Sequence, residues 1–189
     1  MALRPRELFG GALSCAIPDG FADVSSFRQV PDNQEVFANA LTDQCIIVEL
    51  LQYEADVTDD NSAQFFFNEI ASSNGCAPGD IAMLHTQVLP SGHPSAPRLQ
   101  RASVTTIAAG DQRVAKFKEG EAAKNVVRVY IGNVSVTTDV VISVSAPLQI
   151  SDLSSSRDAF QLENSAEVGA EIFKHVLESF TVHDWDLFM

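Results

Sequence analysis

Three segments of the chain carry the clearest hydrophobic patterning. Within residues 44–54, Ile46, Val48 and Leu50 point one way while Ile47, Glu49 and Leu51 point the other. A strand that is apolar on both faces is expected inside a layered sheet. Asp59-Asp60-Asn61 then precede a helix with Ala63, Phe66, Phe67 and Ile70 on one face. Towards the C-terminus, Val168, Ile172, Phe173, Val176, Leu177 and Phe180 fall on one stripe, with Glu171, Lys174 and Glu178 facing water. Asn164 and Glu167 have capping-box spacing at the start of that helix. Its stripe is read as the lid of the domain's own sheet.

The remaining pattern is β-like. Residues 12–17 form a short apolar strand closed by Pro18-Asp19-Gly20, and residues 34–39 form another, joined to the 44–54 strand through residues 40–43. Asn74-Gly75 and Pro78-Gly79 end the first helix, residues 83–89 resume as a strand, and residues 90–94 open a loop. Residues 99–108 and 112–117 read as a hairpin turning at Gly110-Asp111. Residues 118–125 connect it to a second hairpin, 126–131 with 136–144, turning at Gly132-Asn133. After a Ser-rich linker at 151–156 comes the second helix. The expected architecture is α+β, a mainly antiparallel central sheet sandwiched by helices.

Composition narrows this picture. At 189 residues and 46% hydrophobic, the chain suits one domain spanning 1–189. Its net charge of -13 makes nucleic acid and anionic membrane surfaces poor partners and a basic protein surface a good one. Nine of the thirteen net negative charges fall in residues 1–70, where twelve acids face Arg4, Arg6 and Arg28, whereas residues 98–128 hold seven Lys and Arg. Cys15, Cys45 and Cys76 lack metal-ligand or redox spacing, which suits a reducing compartment; Cys15 and Cys45 are expected as buried small hydrophobes. No apolar run suggests a signal peptide or a membrane span.

The chemical motifs are absent. His85, His93, His175 and His183 are isolated, Gly10-Gly11 and Gly75 form no phosphate loop, and the serines lack the turn that presents a nucleophile. No cofactor, metal or catalytic residue is expected. What remains is a set of acids and amides in the N-terminal third: Asp23, Asp32, Asn33, Gln34, Glu35 and Glu49. Asp32 and Asn33, each taken alone, read as local turn formers. Glu49 between apolar neighbours must reach a rim, a buried partner or a binding surface. If the two strands pair near Glu35 and Glu49, their carboxylates form one negative patch.

The string Val30-Pro31-Asp32-Asn33-Gln34-Glu35-Val36-Phe37 resembles the Ran guanine-nucleotide release factor (Mog) family. So do Leu8-Phe9-Gly10-Gly11-Ala12, Ile46-Ile47-Val48-Glu49-Leu50-Leu51, Val114-Ala115-Lys116-Phe117, Thr138-Asp139-Val140-Val141-Ile142-Ser143 with Ala146-Pro147, and His183-Asp184 with Leu187-Phe188. The resemblance implies an α/β/α sandwich around an antiparallel sheet, a fold shared with PsbP-like proteins. It also implies binding to the small GTPase Ran, promotion of nucleotide release, and a role in nuclear import from nucleus and cytoplasm, as a monomer. Asp23, Asp32, Glu35 and Glu49 match the family's acidic binding positions, with Arg28 and Gln34 beside them; Gln52 stands where many members carry an acid. The resemblance leaves open whether a second Ran-binding protein completes the exchange. It also allows an alternative use of the same surface, as a trafficking adaptor for a membrane-protein cargo such as an ion channel.

Overall fold

The computed structural model describes residues 1–115, 119–159 and 165–188. Its strands are β1 (Leu3–Leu8), β2 (Leu13–Pro18), β3 (Ala22–Asp23), β4 (Gln34–Asn39), β5 (Gln44–Gln52), β6 (Ile81–Leu89), β7 (Val104–Val114), β8 (Asn125–Ser135), β9 (Thr138–Gln149) and β10 (Thr181–Val182). Two helices, α1 (Ser62–Ser73) and α2 (Ala166–Ser179), accompany them. Seven strands make one sheet in the order β3-β4-β5-β9-β8-β7-β6, and β1-β2-β10 make a second. Every recorded pairing is antiparallel.

The large sheet carries a helix on each face, as two apolar faces require. On one side Phe66 and Phe67 of α1 pack with Ala108, Val129, Ile131 and Val141. On the other, Ile172, Phe173, Val176 and Leu177 of α2 join Leu13, Cys15 and Ile17 of β2 over Ile46, Val48, Ile142 and Val144. The result is an α/β/α sandwich in which β5 is interior, between β4 and β9. Phe173 is 8% exposed and Val176 0%, so the C-terminal stripe is core as expected. Ser165 caps α2, its Oγ accepting from Val168 N at 3.2 Å. The Asn164 cap lies outside the described residues.

Both expected hairpin turns in the second half are corrected. Val104–Val114 is one unbroken strand with Gly110 in its interior, and the β8–β9 turn falls at Val136-Thr137 rather than Gly132-Asn133. A close approach explains both glycines. A Cβ on Gly110 would sit 2.6 Å from the Phe67 ring and one on Gly132 3.3 Å from Phe173, so each marks where a helix aromatic presses on the sheet. Strand β1, also missed, pairs with β2 from Leu3–Pro18 to Leu8–Leu13. Cys15 is buried as expected, but Cys45 is half-exposed, on the α1 side of β5.

Candidate functional site

The N-terminal acids gather around one end of β4 and β5, on strands at or next to the sheet edge. Gln34 lies directly opposite Glu49, and its Nε2 donates to Glu49 Oε1. The pairing continues one step beyond the strand, where Leu50 N donates to Asn33 O at 2.9 Å and Asn33 Nδ2 to Leu50 O at 3.1 Å. Asp32 and Arg28 are exposed on the incoming loop.

Glu49 shares its face with Ile47 and Leu51. Helix α1 lies over β6, β7 and β8, so the same face of β4 and β5 stays half open and these three residues are half-buried. Among the described residues no cation pairs with Glu49; its hydrogen-bond donor is the neutral Gln34 amide. Partial loss of water pushes the Glu49 carboxyl up from its ordinary value of 4.5, and the Gln34 hydrogen bond only partly opposes this. The arrangement presents a carboxylate, partly stripped of water, to an incoming cation.

Glu35 does something else. Successive residues of a strand point to opposite faces, so Glu35, beside Gln34 and opposite Val48, faces the α2 layer. Its Oε1 accepts the Phe9 backbone N–H at 2.7 Å. Phe9 has a positive φ of 49°, an uncommon conformation for a residue with a side chain. Glu35 therefore pins the strained β1–β2 turn onto β4, and the single patch expected from Glu35 and Glu49 does not form: the two carboxylates lie on opposite faces of the sheet.

Asp23 ends β3 opposite Phe37, and its Oδ1 accepts from Ser25 N at 2.8 Å and Ser25 Oγ at 2.6 Å. Gln52 closes β5, exposed and opposite Thr138. Just beyond it, Glu54 N donates at 2.9 Å to Asp139, a buried carboxylate that also accepts from Asn133 and Ser135 and so ties the β8–β9 hairpin to the end of β5. Tyr53, past the end of the strand, donates its hydroxyl to Asp59 at 2.7 Å.

Phe27 was not among the residues expected at the site. This ring is 78% exposed in the loop between Asp23 and Asp32. The signal was an aromatic residue inside an otherwise polar run, Ser25-Ser26-Phe27-Arg28-Gln29, that fits neither strand nor helix spacing. A cavity of about 560 Å³ lies at the far end of the α1 face, lined by Cys45, Asn74, Gln112 and Asn125 among others. None of the expected site residues lines it.

Comparison with known proteins adds the lineage. Residues 6–147 match the family described as Ran-interacting Mog1 protein. The chain is 40% identical over 155 residues to the zebrafish Ran guanine nucleotide release factor, covering 80% of this chain and 82% of the relative. It is 31% identical to the human protein of that name over 189 residues, 98% and 96% of the two chains. The crystal structure of the Saccharomyces cerevisiae Ran-binding protein Mog1p superposes with a TM-score of 0.71 at 25% identity, covering all of both chains. The match spans the strands that carry the acids as well as the core beneath them, and the chain belongs to the Ran-interacting Mog1 family.

Proposed function

We propose that this protein binds Ran and promotes release of its guanine nucleotide, the activity for which its zebrafish and human relatives are named. A fission yeast relative, 32% identical over 146 residues, is named a nuclear import protein; the same setting, nucleus and cytoplasm, is proposed here. The observation that carries the reading is Glu49. A half-buried carboxylate with apolar flanks and no paired cation among the described residues is costly in the free protein, and a Lys or Arg of a partner would complete the pair.

The docking surface in this reading comprises Glu49 and Gln34 on the open face of β4 and β5, Asp32 and Arg28 on the adjoining loop, and Gln52 at the strand end. Glu35 and Asp23 shape that surface from behind. Release follows if the surface binds nucleotide-free Ran more tightly than loaded Ran, since equal affinity for both forms shifts nothing. Engaging basic groups that otherwise hold phosphate gives that preference. The role is one of binding, with the GTPase supplying its own chemistry.

The test is release of a fluorescent guanine nucleotide from Ran, with wild-type protein and with Glu49→Lys. Wild type is expected to accelerate release and the variant to lose most of that effect. Equal acceleration by a well-folded variant overturns the assignment of the surface.

A further inference from the structure

We propose that Phe27 is the apolar anchor of the Ran-docking surface and that Asp23 serves it as a positioning residue, without itself meeting the partner. This rests on the docking reading above and adds what charge alone cannot supply. Exposed opposite charges speed encounter and align partners, but lifetime comes from a few desolvated side chains, aromatic ones above all. The acidic rim described so far contains no such group.

Phe27 fits the need in three respects. It is the most exposed of the large hydrophobic residues described, at 78%, and burying an aromatic ring of this size removes a large apolar area from water. It is in the right place: the chain leaves β3 at Asp23, opposite Phe37, and re-enters β4 at Gln34, opposite Glu49, so Phe27 stands on the loop bordering the Gln34–Glu49 pair. It is also held. Its own N–H donates to Val24 O at 2.9 Å and the next N–H, of Arg28, to the same oxygen at 3.1 Å, closing a short helical turn.

That turn is capped by Asp23. Its Oδ1 receives both the backbone N–H and the hydroxyl of Ser25, the bonds that fix the start of the Val24–Ser26 turn. The negative charge of Asp23 is incidental to this task, because a side-chain amide oxygen accepts the same two hydrogen bonds. The backbone that carries Phe27 is thus fixed before docking, and little loop entropy remains to be lost.

The experiment measures equilibrium and dissociation constants for Ran with wild type, Phe27→Ala, Phe27→Leu, Asp23→Ala, Asp23→Asn and the double variant Asp23→Ala/Phe27→Ala, each at two ionic strengths. Phe27→Ala is expected to weaken binding on the order of thirtyfold through faster dissociation, with the salt dependence of association unchanged. Phe27→Leu should recover most of the loss. Asp23→Ala should lose affinity, Asp23→Asn should restore it, and the double variant should be no weaker than Phe27→Ala alone, as expected of two residues acting through one contact. Wild-type binding by Phe27→Ala, with Glu49→Lys still defective, overturns the anchor and leaves the acidic surface standing. Loss of binding in Asp23→Asn equal to that in Asp23→Ala overturns the positioning role. Failure of wild type to bind Ran at all overturns both this proposal and the reading on which it rests.

Discussion

Glu49 and Glu35 show how two carboxylates on paired strands, one register step apart, come to differ in environment. Glu49 has its pKa raised by partial burial, so its ionised form is disfavoured in the fold. Between the unfolded value and the raised one the native state holds the extra proton. The resulting loss of stability is therefore complete above the raised pKa and disappears as the pH falls below it. Glu49→Gln should accordingly melt at a higher temperature than wild type at neutral pH, with the advantage shrinking on acidification, while Ran binding is lost. On acidification the Ran affinity of the wild type should begin to fall while the pH is still above the 4.5 of an ordinary Glu. Thermal melts and binding titrations across pH check both. For Glu35 the expectation is reversed. Glu35→Ala leaves the part-buried Phe9 N–H unsatisfied and should cost about 1–3 kcal/mol of stability, seen as an earlier urea midpoint. The acids were readable from the sequence as a group, but their division of labour was not. It depends on a one-residue register, Gln34 rather than Glu35 opposite Glu49, which alternation alone leaves undetermined.

The elements divide the same way. Strand β5 and helices α1 and α2 were legible because their apolar spacing is long and regular; the helices bury the stripes their patterns indicated, whereas β5 buries Ile46 and Val48 and leaves Ile47 and Leu51 half-buried because α1 lies over β6 to β8. The β7, β8 and β9 strands were recognised as β structure but cut at the wrong places. Gly110-Asp111 and Gly132-Asn133 carry turn-like residues, yet in the fold Asp111 pairs across the sheet with Arg128, and its carboxylate takes the guanidinium. The reason for each glycine is a ring on another element, information that no local window holds. Gly110→Ala should therefore behave as an overpacked core substitution, costing about 1–3 kcal/mol by pushing Phe67 and the Ala82 carbonyl away. Chemical denaturation of this variant tests that, and an unchanged midpoint would show that the α1 contact yields more readily than its geometry implies. The short strands β3 and β10, two residues each, were invisible because they are defined by their neighbours rather than by a pattern of their own.

Across the whole molecule the positive end is weaker than a count of Lys and Arg implies. Several of the C-terminal-half cations are already engaged: Arg128 with Asp111, Lys124 with Asp80 and Glu121, and Arg101 over the Trp185 ring. The acids around β4 and β5 therefore dominate what a distant partner senses. Association with Ran should slow as salt rises, because charges separated by more than a Debye length of about 8 Å are screened at physiological ionic strength. Stopped-flow association rates across a salt series measure it, and a flat profile would remove steering from the account. The far ends of the chain are joined as well. Strand β10 pairs with β2, His183 N donates to Ala12 O at 2.8 Å, and Phe180, Val182 and Phe188 are buried. Deleting residues 180–188 removes three core side chains, a loss comparable to the total stability of a small domain, and the truncated chain is expected to lack a cooperative melt by circular dichroism.

The pairing of β5 with β9, Cys45 opposite Ser145 through Gln52 opposite Thr138, has a consequence on the ribosome. The proposed docking surface is encoded within the first 52 residues, yet its interior strand has no second neighbour until nearly a hundred more have been made. The small sheet closes only when Thr181 and Val182 emerge to meet β2. Contacts so distant in sequence form slowly, and a nascent chain waiting for them exposes apolar strands that can aggregate. Nine of the thirteen net negative charges lie in residues 1–70, all made well before β9. The acids proposed to meet a partner in the finished protein are thus placed where their mutual repulsion opposes aggregation of the unpaired strands during synthesis.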